Sequence, residues 1–212
     1  MKTSLNSIGH SNQTLDSFMA LLTRHGIETV VDVRSTPVSA YVPWFSREPL
    51  SASLRANRVS YLFEGDSLGA RPMGTEHYVD GAVDYRTLAH RVEFRDGLLR
   101  TIDIARGSRT ALLCTEGDPM LCHRGILIGP ALRAMGVDYS HIGRSGDLET
   151  HEEMETRLLS KFKFRFVQSD LFFDRNDALR IAYEKQGRKL AHRGSGEVGQ
   201  ELVAEAGMEY DD

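Results

Sequence analysis

The feature that most constrains this chain is an alternation of short β-branched apolar runs with segments of helical spacing, visible from its first residues. Residues 5–8 read as a short strand ended by Gly9. Thr14 is placed to cap a helix in which Leu15, Phe18, Met19 and Leu22 recur on one face. Gly26 is a helix stop, and ETVVDV at 28–33 has the composition of a strand buried on both faces. A β-α-β unit therefore fits into the first 33 residues, with a right-handed crossover expected. The alternation continues with a short helix at 48–57, a strand at 59–63 and a helical region at 85–105. A buried strand, TALLC, follows at 110–114. A helix from Cys122 to about Met135 and a last strand at 137–142 complete the series. Pro130, after Gly129, lies inside that helix and predicts a kink or a later start. The expected fold is α/β: a mostly parallel sheet with helices on both faces, Rossmann-like and three-layered.

Two loops interrupt this rhythm. RSTPVSAYVPWFSREP carries three prolines, and GDSLGARPMG is glycine-rich; both are long for simple connectors. Trp44 and Phe45, between Pro43 and Arg47, offer either an apolar lid or stacking surface or an anchor for the loop. From about Thr150 the chain becomes basic. KFKFRF at 161–166 reads as an edge strand with one wet face, 174–189 as another helix, and 194 onward as a mobile acidic tail. The expected organisation is a core domain over 1–149 and a basic C-terminal extension over 150–212.

Composition narrows the function classes. With 212 residues, 41% of them hydrophobic, the chain can bury a core without covalent staples. A net charge of -4 and a pI near 6.1 give no global signature of nucleic-acid binding. The N-terminus lacks the apolar core of a signal peptide, and no apolar run approaches the roughly 20 residues that span a bilayer. Two cysteines, Cys114 and Cys122, do not make a disulfide scaffold. A cytoplasmic protein with reduced thiols and no membrane partner is expected.

Ligands of open parallel sheets bind outside the carboxyl ends of the strands. That rule selects His10 and Ser11, then Asp32 and Arg34, then the loop CTEGDPMLCHR with Cys114, Glu116, Cys122, His123 and Arg124. A helix start at Cys122-His123-Arg124 would present free N–H groups and a positive dipole end to a phosphate or carboxylate. Arg124 would clamp the anion, and Cys122 would gain thiolate character and act as nucleophile. The plainer alternative is a small buried cysteine among ordinary first-turn residues. Cys114, ending an apolar strand, reads as a packing residue. His10 is a candidate general base, with Asp32 or Glu116 orienting it. Arg34 and Ser11 are candidates to bind an anionic substrate; equally, Asp32 and Arg34 could pair with each other and pin the loop. Cys114, Cys122, His123 and His10 together could hold a metal, but the spacing lacks C-x₂-C, so no metal and no cofactor are assigned.

Taken together, IGHSNQTLDSFMALLTRHGIETVVDVRSTP, WFSRE, LGAR and LLCTEGDPMLCHRGILI resemble the domain-of-unknown-function 488 family over roughly residues 4–142. The resemblance implies an α/β fold with a polar cluster that includes His10, Asp32, Arg34, Cys114, Glu116, Cys122, His123 and Arg124. It implies no activity; Arg71 of LGAR is a further anion-binding candidate. Here Gly117 stands where the family often has lysine, and Gly69-Ala70 where a glycine pair is expected. A fold-level similarity to rhodanese-type domains rests on the D-x-R stretch and a cysteine loop leading into a helix. The leading expectation is an enzyme acting on a phosphate-bearing substrate, a nucleotide or a nucleic-acid end. The alternatives are a non-catalytic nucleic-acid-binding module and a rhodanese-like sulfur transferase.

Overall fold

The computed structural model describes residues 4–74, 76–164 and 174–193. Among these residues the strands are β1 (Ser4–Gly9), β2 (Thr29–Asp32), β3 (Ser60–Phe63), β4 (Tyr78–Val79), β5 (Ala82–Val83), β6 (Thr110–Cys114), β7 (Asp138–Ile142) and β8 (Leu148–Thr150). Six of them form one sheet in the order β3-β2-β6-β1-β7-β8, and β4 and β5 make a separate hairpin. Every neighbour in the large sheet is parallel except β8, which pairs antiparallel with β7. The architecture is the three-layer α/β fold expected.

Helices α1 (Leu15–Arg24) and α2 (Arg47–Ala56) cover one face. Their Phe18, Leu22, Leu50 and Leu54 pack with Ile8, Val30 and Leu113 of the strands. The other face is covered by α3 (Gly65–Leu68), α4 (Tyr85–Ala89), α5 (Val92–Gly107) and α6 (Gly129–Ala134), through Leu68, Leu88, Phe94, Leu98 and Leu132. β6 is buried along its whole length because it has a strand on each side and helices on both faces. The local signals act as expected: Thr14 accepts a hydrogen bond from Ser17 N, and Gly26 takes φ +60 just past α1. A third apolar cluster joins α7 (His151–Lys161) to α8 (Arg175–Leu190) through Met154, Leu158, Leu159, Ala178, Leu179 and Ala182.

Several expectations need correction. Residues 161–164 are not an edge strand: Lys161 ends α7, and Lys163 sits in the left-handed region at φ 58. Arg165, Phe166 and the tail from Gly194 lie outside the described residues. The helix was signalled instead by Thr150 and Glu153, which form a reciprocal capping box ahead of the buried Met154 and Leu158. The glycine-rich loop opens with the short α3, while the helical region expected at 85–105 is present as α4 and α5. β7 is not the last strand, since β8 returns beside it. At Pro130 the expected disturbance takes the form of a π-helical turn, Arg124–Ile128, with Gly129 N–H reaching back to the Arg124 carbonyl. That wider turn leads into α6, where Pro130 occupies the first turn and its missing N–H is tolerated.

Candidate functional site

The chain leaves β2 towards α2 on one face of the sheet, and leaves the adjacent β6 towards α6 on the other. Such divergence opens a crevice at the carboxyl ends of the strands. The register decides which side chains enter it. Asp32 pairs with Leu113, so both point to the α1–α2 face and Cys114 points to the opposite one. The polar residues selected from the sequence therefore fall into two groups.

The first group closes on itself. Arg34 grips Asp32 with two parallel bonds, Nε to Oδ1 at 2.9 Å and Nη2 to Oδ2 at 2.6 Å, and Tyr61 donates to the same carboxylate at 2.8 Å. The remaining Arg34 nitrogen donates to the Phe45 carbonyl at 2.8 Å and to His10 Nε2 at 3.2 Å. His10 Nδ1–H donates to the Ser11 carbonyl at 2.8 Å, and its ring stacks on Phe45 with centroids 4.4 Å apart. Burial is the main force pushing His10 down to about 4, with the Arg34 charge adding to it. His10 is thus neutral with both ring nitrogens engaged, and Asp32–Arg34 is the internal pair that pins the long loop. Phe45 anchors that loop in the core, while Trp44 stays partly exposed.

The second group surrounds Cys114 and Cys122, which are both free thiols and both buried. Cys114 Sγ lies 3.3 Å from Glu116 Oε2 and 3.5 Å from His123 Nδ1. Cys122 Sγ lies 3.8 Å from the same His123 Nδ1 and accepts from Arg124 N at 3.5 Å. The two sulfurs and Nδ1 all lie within 4.8 Å of one another, a spacing that could hold a metal ion; His10 is not part of this group. On the far side of the ring, His123 Nε2–H donates to the Val33 carbonyl at 3.1 Å.

Burial alone would raise the Cys122 thiol. The hydrogen bond from Cys114, with Arg124 and His123, outweighs it and holds Cys122 well below the ordinary thiol range. Cys114 is driven the other way, by that same hydrogen bond and then by burial. His123 would be neutral from burial, but the Cys122 thiolate raises it. Glu116 is raised by burial and then by Cys122. The loop thus favours ionisation at Cys122 and protonation at His123, and disfavours ionisation at Cys114.

Arg124 does not face outward. It is fully buried, and each guanidinium nitrogen is bound inside the protein: Nε to Ser7 Oγ at 3.2 Å, Nη1 to the Glu116 carbonyl at 2.5 Å, and Nη2 to the Gly117 carbonyl at 2.7 Å. It shapes the cysteine loop rather than clamping a ligand. Gly9 has its own reason to be glycine, because a Cβ there would collide with the Glu116 carbonyl.

A polar cavity of about 630 Å³ opens over Cys114, Cys122, His123 and Glu116. Arg71, Lys189 and Arg193 line it against the single carboxylate of Glu116, and Arg34, its charge already paired with Asp32, borders it. Ser11, at φ 47, belongs to the neighbouring turn, with its N–H bonded to the Thr115 carbonyl at 2.7 Å, and does not line this cavity. Sequence reasoning missed Tyr85, Lys189, His192 and Arg193, which also line it. The last three come from the end of α8 and the residues after it, some 70 positions from the cysteine loop; no local pattern announces that approach.

These features define a three-layer α/β protein with a cysteine–histidine loop at the carboxyl rim of a mostly parallel sheet. The family described as Domain of unknown function DUF488 matches residues 14–129, more than half of the chain, and the protein belongs to that family. The matched span holds the Asp32–Arg34 pair and the whole cysteine loop; His10 and Ser11 lie just before it. No curated protein and no solved structure matches the chain. No helix among the described residues is long and apolar enough to cross a membrane.

Proposed function

We propose that this protein is an enzyme acting on a phosphate-bearing small molecule of nucleotide size, held in the cavity over Cys122. The observation that carries the reading is the joint lining of one cavity by Cys122, His123 and the cationic residues Arg71, Lys189 and Arg193. Its volume is in the range of small-molecule sites, and its charge balance favours an anion. Cys122 is the nucleophile, His123 its charge partner, and Glu116 the group placed to exchange a proton with substrate or leaving group. Asp32, Arg34 and His10 act from behind, by fixing the strand end whose Val33 carbonyl orients His123. Two free thiols fit a cytoplasmic setting, where they stay reduced.

Calorimetric titration with inorganic phosphate and a panel of nucleotides tests the substrate class. Arg71→Ala and Arg193→Ala should each weaken the best ligand about 10-fold, roughly 1.4 kcal/mol. Cys122→Ser should keep that affinity within a few-fold and abolish turnover. Unchanged affinity in the doubly substituted protein, or full turnover by Cys122→Ser, would overturn the reading.

The second sulfur gives one specific reason to keep a sulfur-transfer alternative. A Cys122 thiolate that attacks a sulfane donor releases the donor's anion and becomes a persulfide, with Cys114 within 4.8 Å. Mass spectrometry after donor excess should then show one added sulfur on Cys122. The nucleic-acid reading is less favoured, because much of the extension's positive charge is paired internally. Arg157 binds Asp118 and Glu149, Arg175 binds Glu155, and Lys185 lies over Phe162 and Phe164.

A further inference from the structure

We infer that Cys114, Cys122 and His123 form a three-ligand site for a soft transition-metal ion of the zinc class, with the fourth coordination position open to the cavity. The geometry carries this. Zinc binds thiolate at about 2.3 Å and imidazole at about 2.0–2.1 Å in a tetrahedron, which sets a sulfur-to-nitrogen edge of roughly 3.5–3.6 Å. The two such edges here are 3.5 and 3.8 Å. The third edge, between the sulfurs, lies within the same 4.8 Å limit. An ion can therefore seat among the three atoms without rebuilding the loop.

The surroundings fit the same conclusion. A metal-binding histidine nearly always donates its second ring N–H to a carbonyl or carboxylate, which fixes the tautomer and aims the other nitrogen at the ion. His123 does this with the Val33 carbonyl, leaving Nδ1 directed at both sulfurs. The Arg124 N–H supports the Cys122 sulfur from behind. Two thiolates balance a divalent charge, and a donor set of two sulfurs and one imidazole selects zinc, cobalt or copper(I) over magnesium and calcium. The cavity supplies the open side, where Glu116 offers a carboxylate oxygen 3.3 Å from Cys114. The C-x₂-C rule misses the site because its ligands span a strand end and a turn. β6 delivers Cys114, and the 3-10 turn Pro119–Leu121 brings Cys122 and His123 back beside it.

This inference stands apart from the proposed reaction. A bound ion would engage the sulfur that the proposed chemistry uses, so ion and electrophile compete for Cys122, while the cationic cavity keeps its anion preference in either state. The test uses the full chain, reduced and dialysed against a chelator, then titrated with Co²⁺ and afterwards with Zn²⁺. The expected result is thiolate-to-cobalt charge-transfer absorption saturating at one ion per chain, its loss on adding Zn²⁺, and protection of Cys122 from iodoacetamide by Zn²⁺. Cys114→Ala and Cys122→Ser should each weaken Co²⁺ binding beyond the about 10–100-fold typical of an outer-shell change. Circular dichroism of each variant establishes that it is folded, and the titration of the unsubstituted chain needs no variant. No charge-transfer band in the unsubstituted chain, or an undiminished band in folded Cys122→Ser, overturns the site. Phosphate binding and Cys122 alkylation measured in the same metal-free sample would stand untouched by that outcome, so the two readings fail separately.

Discussion

His123 and the pair His141–His151 are all buried, yet their electrostatic fates are opposite. Burial pushes each imidazole towards its neutral form. At His151 it succeeds, holding the ring at about 4 with help from the Arg133 charge; at His141 burial, and then the cost of placing a second charge beside His151, drive it well down. At His123 the Cys122 thiolate reverses the effect. The hydrogen bonds show why the two regions serve different ends. Arg124 Nε donates to Ser7 Oγ at 3.2 Å, Ser7 lies 2.7 Å from His141 Nδ1, and His141 Nε2 lies 3.1 Å from His151 Nδ1. His151 Nε2 then lies 2.9 Å from the Tyr183 hydroxyl, which donates to Glu155 at 2.9 Å. Arginine can only donate and a carboxylate only accept. With these two ends fixed, every proton between them points from Arg124 towards Glu155. This chain ties the core sheet to α7 and α8. The cysteine group instead brings two sulfurs, one imidazole nitrogen and Glu116 together beside a cavity.

The largest expected effect separates the histidines shifted down from the one shifted up by pH. His10 and His151 have folded values near 4, below the ordinary 6.5. The unfolded chain therefore binds more protons between these values, so stability is complete above about pH 6.5 and falls as pH drops towards 4. Each of these residues should remove about 2–3 kcal/mol by pH 4. His123 is shifted upward, so its contribution is present below its unfolded value and is lost as pH rises. Urea unfolding at pH 7 and pH 4.5 measures the difference. A flat profile would mean that His10 and His151 carry charge in the folded state.

Arg124 belongs to both regions, and Arg124→Ala comes next in size. It leaves the Glu116 and Gly117 carbonyls and Ser7 without their donor and removes the cation behind the thiolate. A loss of about 3–5 kcal/mol is expected. Arg124→Lys should recover only part of this, because a single ammonium cannot reproduce the planar fork. Recovery of full stability by lysine would show that charge alone matters there.

How far these regions were legible in the sequence follows from the range of the signals. β1, α1, β2 and β6 were readable because Thr14, Gly26 and TALLC act within a few residues of themselves. The cysteine loop was readable as a place, since strand ends in parallel sheets collect polar side chains. The direction of Arg124 was not, because adjacency to His123 does not say which side of the turn faces the core. Nor was the separation of Asp32 from Cys114, which depends on the one-residue register between β2 and β6. The histidine chain joins residues 7, 141, 151, 183 and 155, none of them neighbours in a pattern. α7 was hidden by the alternation of Phe162 and Phe164, which mimics a strand, although Thr150 and Glu153 mark a helix start.

Tyr183→Phe probes the chain at its far end with a smaller change. It removes one hydroxyl and leaves His151 Nε2–H without an acceptor in a buried setting. About 1–3 kcal/mol should be lost, equivalent to a melting shift of roughly 2–4 °C per kcal/mol for a chain of this size. Calorimetry at pH 7 gives the number. The Cys122 alkylation rate should be unchanged, because the substitution lies beyond His141 and His151 from Arg124. A changed rate would make the two regions one coupled system.

The smallest effect on stability, and the most direct on the comparison, is expected from Cys122→Ser in chelator-treated protein. Serine is close in size and still offers an acceptor to Arg124 N–H, so the fold should lose no more than about 1 kcal/mol. The serine hydroxyl remains neutral, however, and the charge that raises His123 is gone. Burial then acts on His123 as it does on His141 and His151, and the ring should titrate below 6.5 rather than above it. Nuclear magnetic resonance of the imidazole protons across pH 4–9 reads the change of sign. A His123 that stays above 6.5 without the Cys122 thiolate would place the source of its charge elsewhere, with Glu116 as the remaining anion that raises it.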